Sequence, residues 1–96
     1  MTVLTLVESK IKPQRADDLT HLLRELLPST RAFAGCKSVT ASVSEDGVHL
    51  ALVEHWDSQE ARQQYVTWRM TTDHGKQLGA LLDGQLSIRF FNPLDV

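Results

Sequence analysis

The side chains best equipped for chemistry gather in the second half of the chain. Trp56, Tyr65 and Trp68 are large aromatics, Arg69 follows directly, and His55 and His74 flank the group. Tryptophan and tyrosine have apolar bodies with one polar edge, so they wall a dry pocket or plug a core, and a tyrosine hydroxyl turned inward must find a partner. Imidazole exchanges protons near neutral pH, and guanidinium is a fixed cation suited to an oxyanion. Each residue also has a purely structural reading. Trp56 closes a strand, where a large aromatic plugs the space between sheet and helix. Tyr65 and Trp68 fall on the apolar face of a helix, as packing residues do. Arg69 can pair with Glu54, Asp57 or Asp73, and His74, beside Gly75, can meet the last carbonyls of a helix or point into solvent. His55 alternates to the face opposite Trp56, so only one of the two can share a helix-side cavity. His21 lies off the leucine stripe of its helix and His49 beside a hairpin, so both are expected in solvent. No histidines and carboxylates have metal-ligand spacing, and no bound metal is expected.

The elements that must position these residues follow from periodicity. Val3 to Ile11 is β-branched and apolar and reads as strand one, and Pro13 suits the first turn of helix one. Leu19, Leu22, Leu23, Leu26 and Leu27 recur at three-four spacing, which makes helix one amphipathic. Pro28 interrupts that ladder, either bending helix one or ending it, and can start a short turn through Arg31 and Phe33 that stops at Gly35. Val39, Ala41 and Val43 alternate with serines and threonine in strand two, and Asp46-Gly47 makes a tight hairpin into strand three, Val48 to Trp56. Asp57 or Ser58 caps helix two, with Glu60 complementing its dipole. There Ala61, Tyr65, Trp68 and Thr72 share a face, and Gly75 weakens the helix before a last turn with Leu78, Leu81 and Leu82 that ends at Gly84. Strand four is Leu86 to Phe91.

The fold class is therefore α+β: a ferredoxin-like β-α-β-β-α-β chain with an antiparallel four-stranded sheet and strands one and three central. It forms one domain over residues 1–96. Strand one shows Val3, Thr5 and Val7 on one face and Leu4 and Leu6 on the other, and strand three sets Leu50 and Leu52 against Ala51 and Val53. Two helices cover one face of such a sheet. The other apolar face needs a cover that this sequence does not supply, which predicts a homodimer through the sheet face, a barrel-like assembly.

Composition narrows the partners. Ninety-six residues with a net charge of −2 and interspersed signs offer no basic stripe, so nucleic acid is not expected. No apolar stretch approaches the roughly 20 residues that span a bilayer. The first residues alternate like a strand and not like a signal peptide, so no membrane partner and a cytoplasmic location are expected. The single cysteine, Cys36, has no disulfide partner and is expected to be a half-buried, unreactive side chain.

Gly35-Cys36, the strand-three close Val53-Glu54-His55-Trp56-Asp57-Ser58 and the run Tyr65-Val66-Thr67-Trp68-Arg69 resemble the antibiotic biosynthesis monooxygenase family across nearly the whole chain. The resemblance implies dimeric α+β barrels with a pocket between sheet and helices in each subunit. It also implies oxidation of quinols and polyphenolic anthrones by molecular oxygen with no cofactor, since the substrate supplies the electrons. That chemistry requires a dry aromatic pocket, a proton acceptor and charge stabilisation. On this resemblance Trp56 and Trp68 are substrate-binding walls, Tyr65, His74 and Arg69 the catalytic candidates, and a small aromatic the substrate. The pattern of haem-degrading relatives, an asparagine in strand one with a tryptophan and histidine in helix two, is not met: strand one has no asparagine, and Tyr65 stands nine residues after Trp56. Tyr65 also stands where many quinol-oxidising members carry histidine. Two other classes remain open: a dimeric ligand-binding or stress-related protein without turnover, and a non-oxidative, isomerase-type enzyme.

Overall fold

The computed structural model describes residues 2–96. In chain order they form β1 (Val3–Ile11), α1 (Ala16–Arg31), β2 (Cys36–Val43), β3 (His49–Trp56), α2 (Gln59–Arg69), α3 (Asp73–Leu81) and β4 (Leu82–Phe91). The strands pair antiparallel in the order β2-β3-β1-β4, with β1 and β3 central as expected.

Period-two alternation sorts the two faces. Thr5, Val7, Ser9 and Ile11 of β1 and Leu50, Leu52, Glu54 and Trp56 of β3 are buried beneath the helices. Leu4, Leu6, Val53 and His55 occupy the opposite face. The leucine stripe of α1 closes the core on the helix side: its five leucines are all at most 7% exposed, and burying each contributes roughly 1.5–3 kcal/mol.

Four local expectations are corrected. Pro28 neither ends nor restarts α1, which runs unbroken to Arg31. The proline lies on the exposed side, and the ladder resumes as Ala32 N–H donates to the Pro28 carbonyl. Pro13 falls in the turn before α1 and not in its first helical turn, because the helix begins at Ala16. The second helical segment is two helices, so the order is β-α-β-β-α-α-β. The break comes from Thr72, whose extended backbone caps α3 while its hydroxyl accepts from Gly75 N–H at 3.1 Å and donates to the Arg69 carbonyl at 2.7 Å. Gly75 is required there for space, since a Cβ would stand 2.1 Å from the Arg69 carbonyl oxygen. Finally, β4 begins at Leu82. Glu8 pairs with Ser87 and Lys10 with Asp83, so two steps along β1 span four along β4, and Gly84 (φ +105°) sits in that bulge instead of ending a helix.

Gly35 (φ +91°) sets the approach of α2 to the sheet, because a Cβ there would lie 2.6 Å from that of Ala61. Ser58 caps α2 by accepting from Ala61 N–H at 3.0 Å.

Candidate functional site

The inward side of α2 is polar. Arg62, Tyr65 and Arg69 are its buried residues, spaced three and four apart, whereas Trp68 is 39% exposed. The expected face through Ala61, Tyr65, Trp68 and Thr72 is therefore rotated in the structure. Trp68 turns to the edge of the fold, where it stacks on Phe33 at 5.4 Å and lies under the Arg69 guanidinium at 4.6 Å.

Between this face, α1, α3 and the sheet lies a cavity of about 360 Å³, within the range of small-molecule sites. Its walls are mainly aliphatic, from Leu23, Leu26, Leu27, Leu50, Leu52 and Leu78, and its polar residues include Glu54, Arg62, Tyr65 and Arg69. One side opens along β4, where Leu86 and Ile88 remain 49% and 41% exposed.

Two arrangements organise the polar groups. In the first, Glu54 Oε1 accepts from Trp56 Nε1 and from Arg62 Nε, both at 2.9 Å, and both partners of this ion pair are buried. Neither contact engages Oε2. In the second, Arg69 donates through Nε to the Tyr65 hydroxyl at 3.0 Å. Through Nη2 it donates to the Leu26 carbonyl at 3.1 Å, Ser29 Oγ at 2.7 Å and Thr30 Oγ1 at 3.1 Å. The Tyr65 hydroxyl, having accepted from Arg69, is free to donate to Thr30 Oγ1 at 2.7 Å, and Thr30 in turn donates to the Leu26 carbonyl. Arg69 thus has no carboxylate partner among the described residues: Glu54 pairs with Arg62, and Asp57 with Lys37. The alternatives of an ion pair with Glu54, Asp57 or Asp73 are not realised.

The structure brings Tyr65 and Arg69 to the cavity wall together and leaves the other sequence candidates off it. Trp56 is fully buried, packed on Tyr65 at 5.2 Å, and acts on the cavity only through its bond to Glu54. His74 lies between α3 and α1, 3.6 Å from Glu25, and does not line the cavity. His55 faces the other side of the sheet and bonds Ser38. Cys36 is half-buried, and burial, followed by the negative charge of Glu54, pushes its thiol above the usual range. Among the described residues no group of three or more histidine, cysteine or acidic side chains is placed to hold a metal ion, and no helix is long and apolar enough to cross a membrane.

Sequence reasoning missed Glu54 and Arg62 as wall residues. Both carried a signal. Glu54 alternates in phase with Leu50, Leu52 and Trp56, and Arg62 stands three residues before Tyr65 and seven before Arg69.

Comparison with known proteins agrees with this architecture. The model of the antibiotic biosynthesis monooxygenase family matches residues 2–76. Rv0793 of Mycobacterium tuberculosis, named as a candidate monooxygenase, is 30% identical over 84 residues, 88% of this chain and 83% of that protein. Its solved structure superposes with a TM-score of 0.77 at 27% identity, covering 100% of this chain and 98% of the other. PA3566 of Pseudomonas aeruginosa gives 0.77 at 22% identity, covering 97% and 94% of the two chains. A Nitrosomonas europaea protein gives 0.80 at 12% identity over 98% and 91%. The last two speak for the fold alone.

Proposed function

The chain belongs to the antibiotic biosynthesis monooxygenase family, and on that premise we propose that it is a monooxygenase that oxidises a small quinol-like or polyphenolic aromatic with molecular oxygen, needing no cofactor to supply electrons. The observation that carries this reading is the presence, in the lining of one cavity, of a carboxylate oxygen and a guanidinium nitrogen that no protein group among the described residues engages: Oε2 of Glu54 and Nη1 of Arg69. The only fully enclosed side-chain polar atom lacking a partner among the described residues is Thr5 Oγ1, so both groups reach open space.

In this reading Glu54 accepts the proton that leaves the substrate. Arg69, held by Tyr65, Ser29 and Thr30, stabilises the oxyanion so formed. The electron-rich anion passes one electron to oxygen. The resulting substrate radical and superoxide combine into a C–O bond, and scission of the O–O bond releases water with the proton returned from Glu54. For an activated methylene the sum is balanced: methylene and dioxygen give a carbonyl and one water, the two methylene hydrogens leaving in that water. The aliphatic walls keep bulk water from the anion.

A second copy of the chain completes the proposal. Leu4, Leu6, Val53 and Phe91 share the sheet face turned away from the helices, and sheet-to-sheet pairing across a two-fold axis would cover them.

The test is oxygen uptake by metal-stripped protein over a panel of quinols, anthrones and catechols, with Glu54→Gln and Tyr65→Phe alongside. Protein-dependent uptake that falls in Glu54→Gln is the expected result, and no uptake on any substrate would refute it. One observation favours a second reading, a carrier that binds without turnover: no imidazole among the described residues lies on the cavity wall. Saturable binding with no oxygen consumption is its signature.

A further inference from the structure

We infer that the cavity takes an amphiphile: a ligand with an anionic oxygen head held by Arg69 and an aliphatic body lying along the leucine wall toward the open side beside β4. This rests on the cavity being the substrate site proposed above, and it narrows the substrate to an acidic ring or chain bearing an alkyl group.

The head follows from the charge left uncompensated. Arg69 is only 6% exposed, yet its partners Tyr65, Ser29, Thr30 and the Leu26 carbonyl are all formally neutral. A buried charge without an opposite charge is costly, and the other buried arginine, Arg62, is paired with Glu54. The C-terminal part of α1 offsets some of the deficit. A helix end carries only about half a negative charge, and Leu26 lies more than a turn inside it, so more than half of a unit positive charge remains. All four hydrogen bonds use Nε and Nη2, which leaves Nη1 for a ligand oxygen.

The body follows from the wall. Among the described residues Tyr65 is the only aromatic side chain that lines the cavity, so a flat polycycle finds one stacking surface. Leu23, Leu27, Leu78 and Leu82 line the same cavity as Leu86 and Ile88, which remain 49% and 41% exposed, so most of its wall is aliphatic and an alkyl body matches it better than a flat ring.

Calorimetric titration with decanoate, 1-decanol and benzoate, kept below micellar concentrations, separates head from body. Decanoate should bind roughly tenfold or more tightly than decanol, the worth of a charge-assisted hydrogen bond, and more tightly than benzoate. Arg69→Gln should erase the preference over decanol. Because that variant touches four internal hydrogen bonds, Leu78→Trp provides an independent arm, in which decanoate should weaken while benzoate does not. An alkyl nitrophenol, ionised at mildly alkaline pH, distinguishes a phenolate head from a carboxylate, and its binding should depend on Arg69 equally. Equal affinities for decanoate and decanol, tighter benzoate than decanoate, or no saturable binding of any probe would overturn the inference. Oxygen uptake run in parallel keeps the two readings apart. Decanoate binding without quinol oxidation refutes only the monooxygenase, whereas quinol oxidation that decanoate fails to inhibit refutes only the amphiphile.

Discussion

Replacing Glu54 by glutamine changes one atom and one charge at a buried position, and its consequences can be worked out. The Glu54 side chain is 5% exposed and that of Arg62 11%, with Nε and Oε1 2.9 Å apart. The amide still offers a carbonyl oxygen to Trp56 Nε1 and Arg62 Nε, so the hydrogen bonds persist while the guanidinium loses its counter-charge. Breaking a buried pair on one side costs about 3–5 kcal/mol, and the retained acceptor keeps this case near the lower end. At about 4–8 °C per kcal/mol for a domain of this size, the melting temperature should fall by about 12 °C or more, compared at one protein concentration. Activity should fall further than stability explains, by about 10²–10⁴ in kcat, because the proton acceptor is gone. The double variant Glu54→Gln with Arg62→Met separates the two effects, because it removes the orphaned charge and leaves Trp56 Nε1 its acceptor. Removing both charges together is often neutral or stabilising, so it should recover most of the lost stability and none of the oxygen uptake. Calorimetry and oxygen-electrode traces on the three proteins decide the matter. Full activity in Glu54→Gln would remove Glu54 as the base, and a double variant as unstable as the single one would show that the cost never came from the orphaned charge.

Gly75→Ala should destabilise the protein by about 3 kcal/mol or more, above the usual range for overpacking because the clash at 2.1 Å is with backbone, and chemical denaturation measures it. A neutral result would mean that the α2–α3 corner relaxes freely. Val53→Asp places a charge on the sheet face away from the helices and should give aggregated or unfolded material by sedimentation. A well-folded monomer at micromolar concentration would refute the paired sheets. Cys36 should react with iodoacetamide more slowly than a free peptide thiol, since burial raises its pKa. The linkage has a definite sign: with the folded value raised, the thiol's contribution to stability is complete below the unfolded value of about 8.5 and is lost as pH rises through the folded one. Alkylation as fast as a model peptide at neutral pH would contradict that.

The sheet was legible because alternation has an unambiguous period. Val7 and Leu52 against Leu6 and Val53 assign both faces of the central strands, and Asp46-Gly47 marks the hairpin, where Gly47 adopts φ +75°. The helices were harder, for reasons that differ by residue. Pro28 is tolerated because it lies on the outer side of α1, which a count of helix breakers does not weigh. Thr72 ends α2 through two side-chain hydrogen bonds that outweigh a hydrophobic repeat continuing past it. The rotation of α2 was hidden because its inward face carries Arg62 and Arg69, residues that a hydrophobicity pattern assigns to solvent. Tyr65 and Arg69 were legible as a pair by type and spacing. Glu54 was not, since its charge spoke against the burial that its alternation implied.

The placement of those arginines explains why a cavity exists at all. The leucines of α1 join Val39 of β2, Leu50 and Leu52 of β3 and Val7 and Ile11 of β1 in one buried cluster, and the same sheet continues to β4, whose helix-side residues Leu86, Ile88 and Phe90 stay 41–49% exposed. Leucine at positions 62 and 69 would let α2 settle on that strand and bury them. Instead the two long side chains hold α2 by fixed hydrogen bonds: Arg62 to Glu54, with its guanidinium 5.9 Å from the Phe90 ring, and Arg69 to Leu26, Ser29 and Thr30 of α1. Such a rim is rigid but hollow, and it forgoes apolar burial worth about 25 cal/mol per Å². Replacing a buried ion pair by apolar residues is often neutral or stabilising, so stability does not by itself account for Arg62 and Glu54. In the function proposed above the return comes from what fills the space, and the side chains that keep the cavity open are the same ones that give it charge.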